Sequence, residues 1–518
     1  MRLDRNLCHW GIWTFVALMA FWAQAASADP ISAERVAAAL PKLEALAEGA
    51  VANGAVPGLA IAVVHNDKVV FLKGFGRREA GKPEAVDADT VFQIASLSKP
   101  VSATVVAALV SGGTVSWNSK IADLDPGFRL ADPYPTSELT IRDLFAHRSG
   151  LPGTAGDDLE SIGYDRATIL HRLRFVPPSS SFRAAYSYSN FGLTEGAVAA
   201  ARPTGKSWEE IAEEKLYRPL GMASTSSRYA DFLKHANRAA LHIKVDGAWA
   251  AKVKREPDAQ APAGGVSSTV RDLAQWVRLV LSNGVYAGKT LIAADAMNQM
   301  HVPLMTRGRN PVSGGESFYG LGWNVELGRY GLSWGHSGAF STGARTVATV
   351  FPDEKLGIVI LANAFPTGIP EGLSDSFADL VFDGKVEKDW IGAWDGIFSG
   401  MFGPAIAAAK ATYAAPPAPA KPAAPDSAYA GSYANDFVGD ALVSGSRDGL
   451  VLKLGPAGVR SYPLTHFNGD LFLTFPDAEM PDRPVGVSFV VGPDGKASAM
   501  TIDFLDDNHL GTLQRAGN

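Results

Sequence analysis

Cysteine is almost absent from this chain of 518 residues, which contains only Cys8. Cys8 lies in an N-terminal segment that we expect to be removed, so the mature chain would hold no disulfide, no cysteine nucleophile and no cysteine-ligated metal. A chain without disulfides must be stabilised by its core. This length is sufficient for two or three domains with sizeable cores.

The chain also lacks a basic cluster and a metal-ligand pattern. Its formal net charge is −6, which argues against nucleic-acid binding. It contains no H-E-x-x-H and no acidic pair at ligand spacing, and its ten histidines are scattered, so no metal or other cofactor is expected. With 47% apolar and 19% charged residues, the composition is that of a globular, core-forming protein.

Residues 1–28 have the features of a secretory signal peptide. Arg2 and Arg5 precede an apolar core at 10–22 that is too short for a comfortable membrane span. Small residues in two A-x-A patterns follow, and cleavage is expected after Ala28 or nearby. We therefore predict a periplasmic or secreted protein without a membrane span after cleavage. The alternative is an uncleaved anchor.

Residues 29–412 are predicted to form one domain of mixed helices and strands. A helix is expected over 32–53, followed by two apolar runs around the turn at 65–68, which predict a β-hairpin. From about 121 to 220 the pattern is mostly helical. Later elements are expected as strands at 321–325, 346–351 and 357–361 and as a helix over roughly 370–382. Strands at both ends indicate a sheet with an α-helical region inserted.

The C-terminal residues differ in composition from the rest. Residues 413–427 are rich in proline and alanine, which is typical of a semi-rigid linker. Residues 428–518 are β-rich and are predicted to form a small antiparallel barrel or sandwich. Its hairpin turns are expected at 447–449, 467–470 and 493–495.

The first catalytic candidates are Ser96 and Lys99, at the start of a helix that is expected to end at 112–113. A serine and a lysine three residues apart lie on one face of a helix, so the amine can reach the hydroxyl. A serine hydroxyl is a poor nucleophile at neutral pH and needs a neighbouring base. The alternative is a surface serine beside a solvated lysine.

Tyr188-Ser189-Asn190 supplies the next candidates. A tyrosine beside a lysine ammonium has its phenol pKa lowered, and its phenolate would take the proton from Ser96. Asn190 would hydrogen-bond the lysine amine or a substrate amide. The alternative is a loop with a buried tyrosine and an asparagine in a turn.

His336-Ser337-Gly338 follows further along the chain. The chain thus contains Ser-x-x-Lys, Tyr-x-Asn and His-Ser-Gly, in this order. These three motifs resemble those of the penicillin-recognising serine hydrolases. This family includes class C β-lactamases, D,D-peptidases, D-amino-acid amidases and β-lactamase-like esterases. The resemblance covers about 32–385 and implies a mixed α/β fold with a β-lactamase-like antiparallel sheet. It includes framework segments at 56–60, 147–152, 219–222 and 263–269, where His147 is expected to hold its loop.

The resemblance implies a role for each side chain in the first two motifs. Ser96 would be the acyl-accepting nucleophile and Lys99 the group that tunes it. Tyr188 would be the general base for acylation. Asn190 would orient both Lys99 and the substrate.

The third motif would contribute to substrate binding. His336, Ser337 and Gly338 would line the cleft on an edge strand, and the backbone N–H groups of Ser96 and Ala339 would form an oxyanion hole. In β-lactamases this motif is Lys-Thr-Gly. Histidine, unlike lysine, is mostly neutral at pH 7, so holding a substrate carboxylate is disfavoured here.

We therefore expect an exported serine hydrolase that acts through an acyl-enzyme on small peptides or amides, including D-residues, or on carboxylic esters. One alternative is a β-lactamase or penicillin-binding sensor that acylates with little turnover. Another is an α/β-hydrolase, because 335–339 is close to G-x-S-x-G. Residues 429–433 resemble the opening of a barrel appended to some peptidases of the family. That barrel would cap the cleft, restrict substrate size or mediate a homo-oligomer.

Overall fold

The structure is a computed structural model that describes residues 31–447, 449–476 and 483–517. The predicted signal peptide and Cys8 lie outside the described residues. Within these ranges, no helix is long and apolar enough to cross a membrane.

Fourteen strands precede the C-terminal barrel among the described residues. They are β1 Gly58–His65, β2 Lys68–Gly76, β3 Phe92–Gln93, β4 Ile243–Val245, β5 Ala248–Ala250, β6 Ser267–Ser268, β7 Val285–Tyr286, β8 Lys289–Thr290, β9 Met305–Arg309, β10 Glu316–Tyr319, β11 Asn324–Gly328, β12 Gly331–Phe340, β13 Ala344–Phe351 and β14 Leu356–Ala362. Eight of them form one antiparallel sheet in the order β2-β1-β14-β13-β12-β11-β10-β9. The first strands therefore pair with the last, as the sequence predicts.

The helices fill the segments between and after these strands. They are α1 Ala33–Ala52, α2 Ser98–Ser111, α3 Ile121–Leu124, α4 Pro133–Glu138, α5 Ile141–Phe145, α6 Asp157–Ser161, α7 Arg166–Arg172, α8 Asn190–Ala201, α9 Trp208–Ala212, α10 Tyr229–Lys234, α11 Ala261–Gly264, α12 Val270–Leu281, α13 Ala294–Asn298, α14 Ile369–Phe382, α15 Trp390–Thr412 and α16 Asp426–Tyr429. The region predicted to be mostly helical, about 121–220, contains α3 to α9.

Both faces of the sheet are covered, so every residue of β1 is buried. Successive side chains of a strand point to opposite faces. Leu59, Ile61 and Val63 accordingly share a core with α1 and α14, whereas Ala60 and Ala62 belong to a second core that includes α12. The second core continues into the helices that follow β2, where α2 lies almost completely buried.

The strand predicted at 321–325 is wrong at its start, because β11 begins at Asn324. Gly322 has φ +75°, which ends extended structure at this point. A Cβ atom on Gly322 would lie 2.9 Å from the carbonyl oxygen of Lys99, so the turn packs directly against the first turn of α2.

The predicted C-terminal barrel is confirmed as a closed barrel of eight antiparallel strands. Its strands are β15 Gly431–Asn435, β16 Gly439–Ser446, β17 Gly449–Leu454, β18 Arg460–Asn468, β19 Leu471–Thr474, β20 Val485–Val491, β21 Ala497–Ile502 and β22 Thr512–Arg515. The turns predicted at 467–470 and 493–495 join consecutive strands of it. The domain boundaries at 412 and 428 stay a prediction.

Candidate active site

Ser96 lies in a separate 3₁₀ turn, Ala95–Leu97, immediately before α2. The sequence predicts that Ser96 itself opens the helix, but α2 begins at Ser98. Ala95 has φ +48°, a left-handed conformation that residues with a Cβ rarely adopt. This local turn separates the serine from the regular helix.

Lys99 is fully buried and has three hydrogen-bond partners. Its Nζ lies 3.0 Å from Ser96 Oγ, 2.7 Å from Asn190 Oδ1 and 2.9 Å from the carbonyl oxygen of Ala263. Burial lowers the pKa of Lys99 to about 7. A neutral amine has two N–H bonds, which Asn190 and Ala263 accept, so its lone pair is left to face the serine hydroxyl.

Asn190, the first residue of α8, connects Lys99 to a carboxylate that the sequence analysis missed. Its Nδ2 donates to Asp157 Oδ2 at 2.9 Å, which fixes the amide with Oδ1 toward Lys99. Burial, with a contribution from the Glu160 carboxylate, raises the pKa of Asp157 to about 8. Asp157 belongs to no recognised motif and comes next to Asn190 only in the folded chain.

Tyr188 lies beside the serine and the lysine. Lys99 Nζ is 4.5 Å from the centroid of its ring, and Ser96 is a hydrogen-bond partner of its side chain. Burial raises the pKa of Tyr188 well above its ordinary value, although the hydrogen bond with Ser96 lowers it. The structure therefore differs from the expected phenolate, because desolvation outweighs the lowering of the pKa by Ser96 and Arg307.

His147 holds the backbone on both sides of Tyr188. The N–H of Ser187 donates to the His147 carbonyl at 2.8 Å, and the N–H of Ser189 donates to His147 Nδ1 at 3.1 Å. Burial lowers the pKa of His147 well below its ordinary value, so the ring is neutral and its Nδ1 is free to accept. His147 was expected to hold its own loop at 147–152, and in the structure its ring accepts from the segment that carries Tyr188.

The third motif lies within β12, which packs closely against the turn at Ser96. The expected edge strand is wrong, because β12 lies between β11 and β13 in the sheet, although its pairing with β11 ends at Gly335. A Cβ atom on Gly338 would lie 2.3 Å from the carbonyl oxygen of Ile94 and 2.9 Å from the Leu97 nitrogen, so only glycine fits there. Because 335–339 is continuous strand, it does not form the strand–turn–helix that an α/β-hydrolase requires.

His336 is buried and engaged by hydrogen bonds at both ring nitrogens. Its Nδ1 lies 2.6 Å from the Ser337 carbonyl oxygen and therefore donates, while Nε2 accepts from the Tyr319 hydroxyl at 3.0 Å. Burial lowers the pKa of His336 to about 3. The third motif thus supplies a neutral ring at neutral pH.

Ser96 and Ala339 line two cavities. The first, of about 670 Å³, also contains Tyr188, His336 and Ser337 in its lining. The second, of about 1020 Å³, lies on the side of Asn190 and Asp157. Residues of the C-terminal barrel, among them Arg460, Tyr462 and Phe504, line the second cavity, so the barrel forms part of the wall around Ser96.

No group of three or more histidine, cysteine, aspartate or glutamate side chains in the described part of the chain is arranged to hold a metal ion.

Comparison with protein families assigns most of this chain. Residues 43–376 match the family model described as Beta-lactamase. The chain belongs to the β-lactamase family. Residues 415–514, which include all but the last residue of the barrel strands, match a second model described as a domain of unknown function, DUF3471. The recognition of the family from the three motifs is confirmed.

Several curated proteins are similar to this β-lactamase-family chain. Unguisins hydrolase ungD' of Aspergillus campestris is 27% identical over 60% of this chain and 58% of the relative, so the match spans little more than half of that protein. Penicillin-binding protein 4 of Amycolatopsis lactamdurans is 28% identical over 60% of this chain and 81% of the relative. D-alanyl-D-alanine-carboxypeptidase/endopeptidase AmpH of Escherichia coli K12 is 26% identical over 62% and 84%.

Two solved structures share the fold along most of the chain. The octameric penicillin-binding protein homologue from Pyrococcus abyssi superposes with a TM-score of 0.57 at 19% identity, covering 92% of this chain and 99% of that one. SurE superposes with a TM-score of 0.55 at 21% identity, covering 93% and 100%. The predicted fold, a β-lactamase-like domain followed by a barrel, is confirmed.

Proposed function

We propose that this member of the β-lactamase family is an exported serine hydrolase in which Ser96 is acylated by small peptides, amides or carboxylic esters. The observation that carries the proposal is the contact between Lys99 and Ser96. A buried amine with a pKa of about 7 lies 3.0 Å from a serine hydroxyl, and its two N–H bonds have other acceptors. This is the arrangement that an activated serine nucleophile needs.

In the proposed acylation, neutral Lys99 takes the proton from Ser96 Oγ as the oxygen attacks the substrate carbonyl. A tetrahedral intermediate forms, and its oxyanion accepts hydrogen bonds from the N–H groups of Ser96 and Ala339. When the scissile bond breaks, the leaving group needs a proton. Water then attacks the acyl-enzyme in the same geometry, with the proton transfers reversed.

We assign to Tyr188 the role of donating a proton to the leaving group. This modifies the role of general base that the family resemblance implies. Because burial raises its pKa, Tyr188 is a neutral phenol in the resting site. It donates this proton to the leaving nitrogen or oxygen and recovers one from the Lys99 ammonium. The net result is transfer of the Ser96 proton to the leaving group.

The neutral third motif favours substrates without an essential carboxylate. Burial keeps His336 uncharged, whereas the lysine of the β-lactamase pattern carries a permanent positive charge. Peptide, amide and ester bonds are therefore preferred over carboxylate-anchored β-lactams and C-terminal residues. One relative is named as a hydrolase of unguisins, which supports a hydrolytic activity for this chain.

Export and assembly are further parts of the proposal. Export to the periplasm or medium rests on the signal-like sequence of residues 1–28. Assembly of copies through the C-terminal barrel is supported only by the similarity to a homologue described as octameric.

A hydrolysis panel tests the proposed function. Wild type and Ser96→Ala are assayed with a chromogenic short-chain ester, a D-aminoacyl anilide, short peptides and a chromogenic cephalosporin. Ser116→Ala, at an exposed serine outside both cavities, is the matched control. We expect turnover of an ester or amide by wild type and the control, and none by Ser96→Ala.

Two other outcomes contradict the proposal. Equal activity of Ser96→Ala and wild type would exclude Ser96 as the nucleophile. A stable adduct with the cephalosporin and no turnover of any ester, amide or peptide would favour a penicillin-binding sensor instead.

A further inference from the structure

The second cavity contains a carboxylate oxygen that has no hydrogen-bond partner. Asp157 Oδ2 accepts from Asn190, but Oδ1 is buried and without a partner among the described residues. Buried polar atoms are nearly always paired, and an unpaired one costs free energy. The atom lies next to the Asn190–Lys99–Ser96 chain of hydrogen bonds, so a ligand that pairs with it would be close to the nucleophile.

Glu160, one helical turn after Asp157, also has a carboxylate oxygen without a hydrogen-bond partner in the described part of the chain. It is 7% exposed, and its Oε2 accepts from Arg255 and Gln260, yet Oε1 has no partner within the described ranges. Residues three apart lie on the same face of a helix. Asp157 and Glu160 therefore present two incompletely bonded carboxylates to the same cavity.

The charge of this cavity favours a cation. Acidic residues outnumber basic ones among the described residues of its lining, seven to five. The ion pair of Arg255 with Glu160 neutralises one residue of each sign, and that of Arg166 with Glu209, which lies outside the lining, neutralises a second basic residue. Burial and the carboxylate of Asp507, which belongs to the barrel, raise the pKa of Asp158 to about 6. Burial and the Glu160 carboxylate raise the pKa of Asp157 to about 8, so Asp157 is mostly protonated near neutral pH, and a bound ammonium group would favour its ionised form.

We propose that Asp157 binds the protonated amino group of the substrate's acyl residue, with Glu160 as a second carboxylate beside it. The preferred substrates are then amino-acid amides, amino-acid esters and peptides with a free N-terminus. An amino group on the carbon next to the scissile carbonyl would face Asn190 and donate to the unpaired Oδ1 of Asp157. This inference rests on the proposed acylation of Ser96.

The test compares two substrates that differ only in this amino group. Alanyl p-nitroanilide, in both configurations, and propionyl p-nitroanilide are assayed with wild type, Asp157→Asn and Asp295→Asn. Asp295 is exposed and lies outside both cavities. We expect wild type to prefer the amine in at least one configuration. Asp157→Asn should reduce the ratio of the two kcat/KM values by about 10- to 100-fold, the effect of one charge-assisted hydrogen bond.

The ratio of the kcat/KM values for the alanyl and propionyl substrates distinguishes two roles of Asp157, recognition of the substrate amine and positioning of Asn190. A purely positioning role for Asp157 would lower kcat/KM for both substrates by one factor and leave their ratio unchanged. That result, or a wild-type enzyme that hydrolyses the propionyl substrate as well as both alanyl substrates, overturns the inference while the proposed function stands. If no substrate shows turnover that depends on Ser96, the proposed function itself fails. The wild-type comparison requires no variant to fold.

Discussion

His147 accepts hydrogen bonds from the residues before and after Tyr188, through its carbonyl oxygen and its Nδ1. The two bonds fix the short segment from which the phenol reaches Ser96. Only the second bond uses the side chain, so a substitution can remove it and leave the first in place. The position of the phenol therefore depends on a neutral histidine. The hydrogen bonds of this histidine go to the segment around Tyr188 and not to Lys99 or Ser96.

His147→Ala is expected to reduce kcat by about 100-fold with little change in KM, because misplacing a reacting group by about 1 Å has an effect of this size. His147→Asn, whose amide oxygen can accept from the Ser189 N–H, should recover part of the loss. Steady-state kinetics and thermal unfolding of both variants provide the check. A loss of stability with unchanged kcat would show that His147 acts only in folding.

The pH dependence of acylation tests the role of Lys99. Burial lowers its pKa to about 7, and only the neutral amine can take the proton from Ser96. With an ester that does not titrate, kcat/KM should therefore rise with pH through about 7 and then level off. Lys99→Met should lose about 10²- to 10⁴-fold in activity and the pH-dependent rise with it. A wild-type profile that is flat across this range contradicts the assignment.

Gly338→Ala should disrupt the contact between β12 and the Ser96 turn. The added Cβ atom would meet the Ile94 carbonyl oxygen at 2.3 Å, so the strand must move away. We expect a loss of about 1–3 kcal/mol in the free energy of unfolding and strongly reduced activity, because the Ala339 N–H moves with the strand. Gly445→Ala in the barrel is the control, since no atom from another part of the described chain lies within 4 Å of the position that the added Cβ would take. Equal effects of the two substitutions would contradict this explanation.

The barrel should influence which acyl groups are accepted. Phe504 lines the cavity beside Ser96 and packs edge-to-face with Tyr462 at 6.3 Å between ring centroids. Phe504→Ala removes a ring from the wall and enlarges the cavity. We therefore expect kcat/KM for a bulky acyl ester to increase by about 10-fold relative to an acetyl ester. Val490→Ala, at a residue of the barrel that is 60% exposed, should leave the ratio unchanged. If Phe504→Ala also leaves it unchanged, the barrel does not select the substrate.

The local part of the site was predictable from sequence, and the rest depends on tertiary packing. The spacing of Ser96 and Lys99 places them within reach of each other whether or not the serine belongs to the helix. The antiparallel strands of the C-terminal domain were predictable because its turns carry strong hairpin signals, but these signals do not distinguish a closed barrel from a sandwich. By contrast, Ala263 was assigned only to the framework, yet its carbonyl accepts from Lys99. Asp157 meets Asn190 only after the insert has folded.

The electrostatic state of Tyr188 could not be predicted from its neighbours in the sequence. A nearby lysine argues for a lowered phenol pKa, but that argument omits desolvation. In the folded chain, burial is the largest influence on both groups, lowering the pKa of Lys99 and raising that of Tyr188. The assignment of base and acid therefore follows from burial, which composition and spacing do not show.

The central claim is that an acyl group is transferred to Ser96, and intact-protein mass spectrometry with peptide mapping tests it most directly. Wild type and Ser96→Ala are quenched in acid during turnover of a slowly hydrolysed ester or anilide. We predict one added acyl group in wild type, located on the peptide that contains Ser96, and none in Ser96→Ala. An acyl group on another residue, or equal hydrolysis by both proteins without an adduct, would contradict the account.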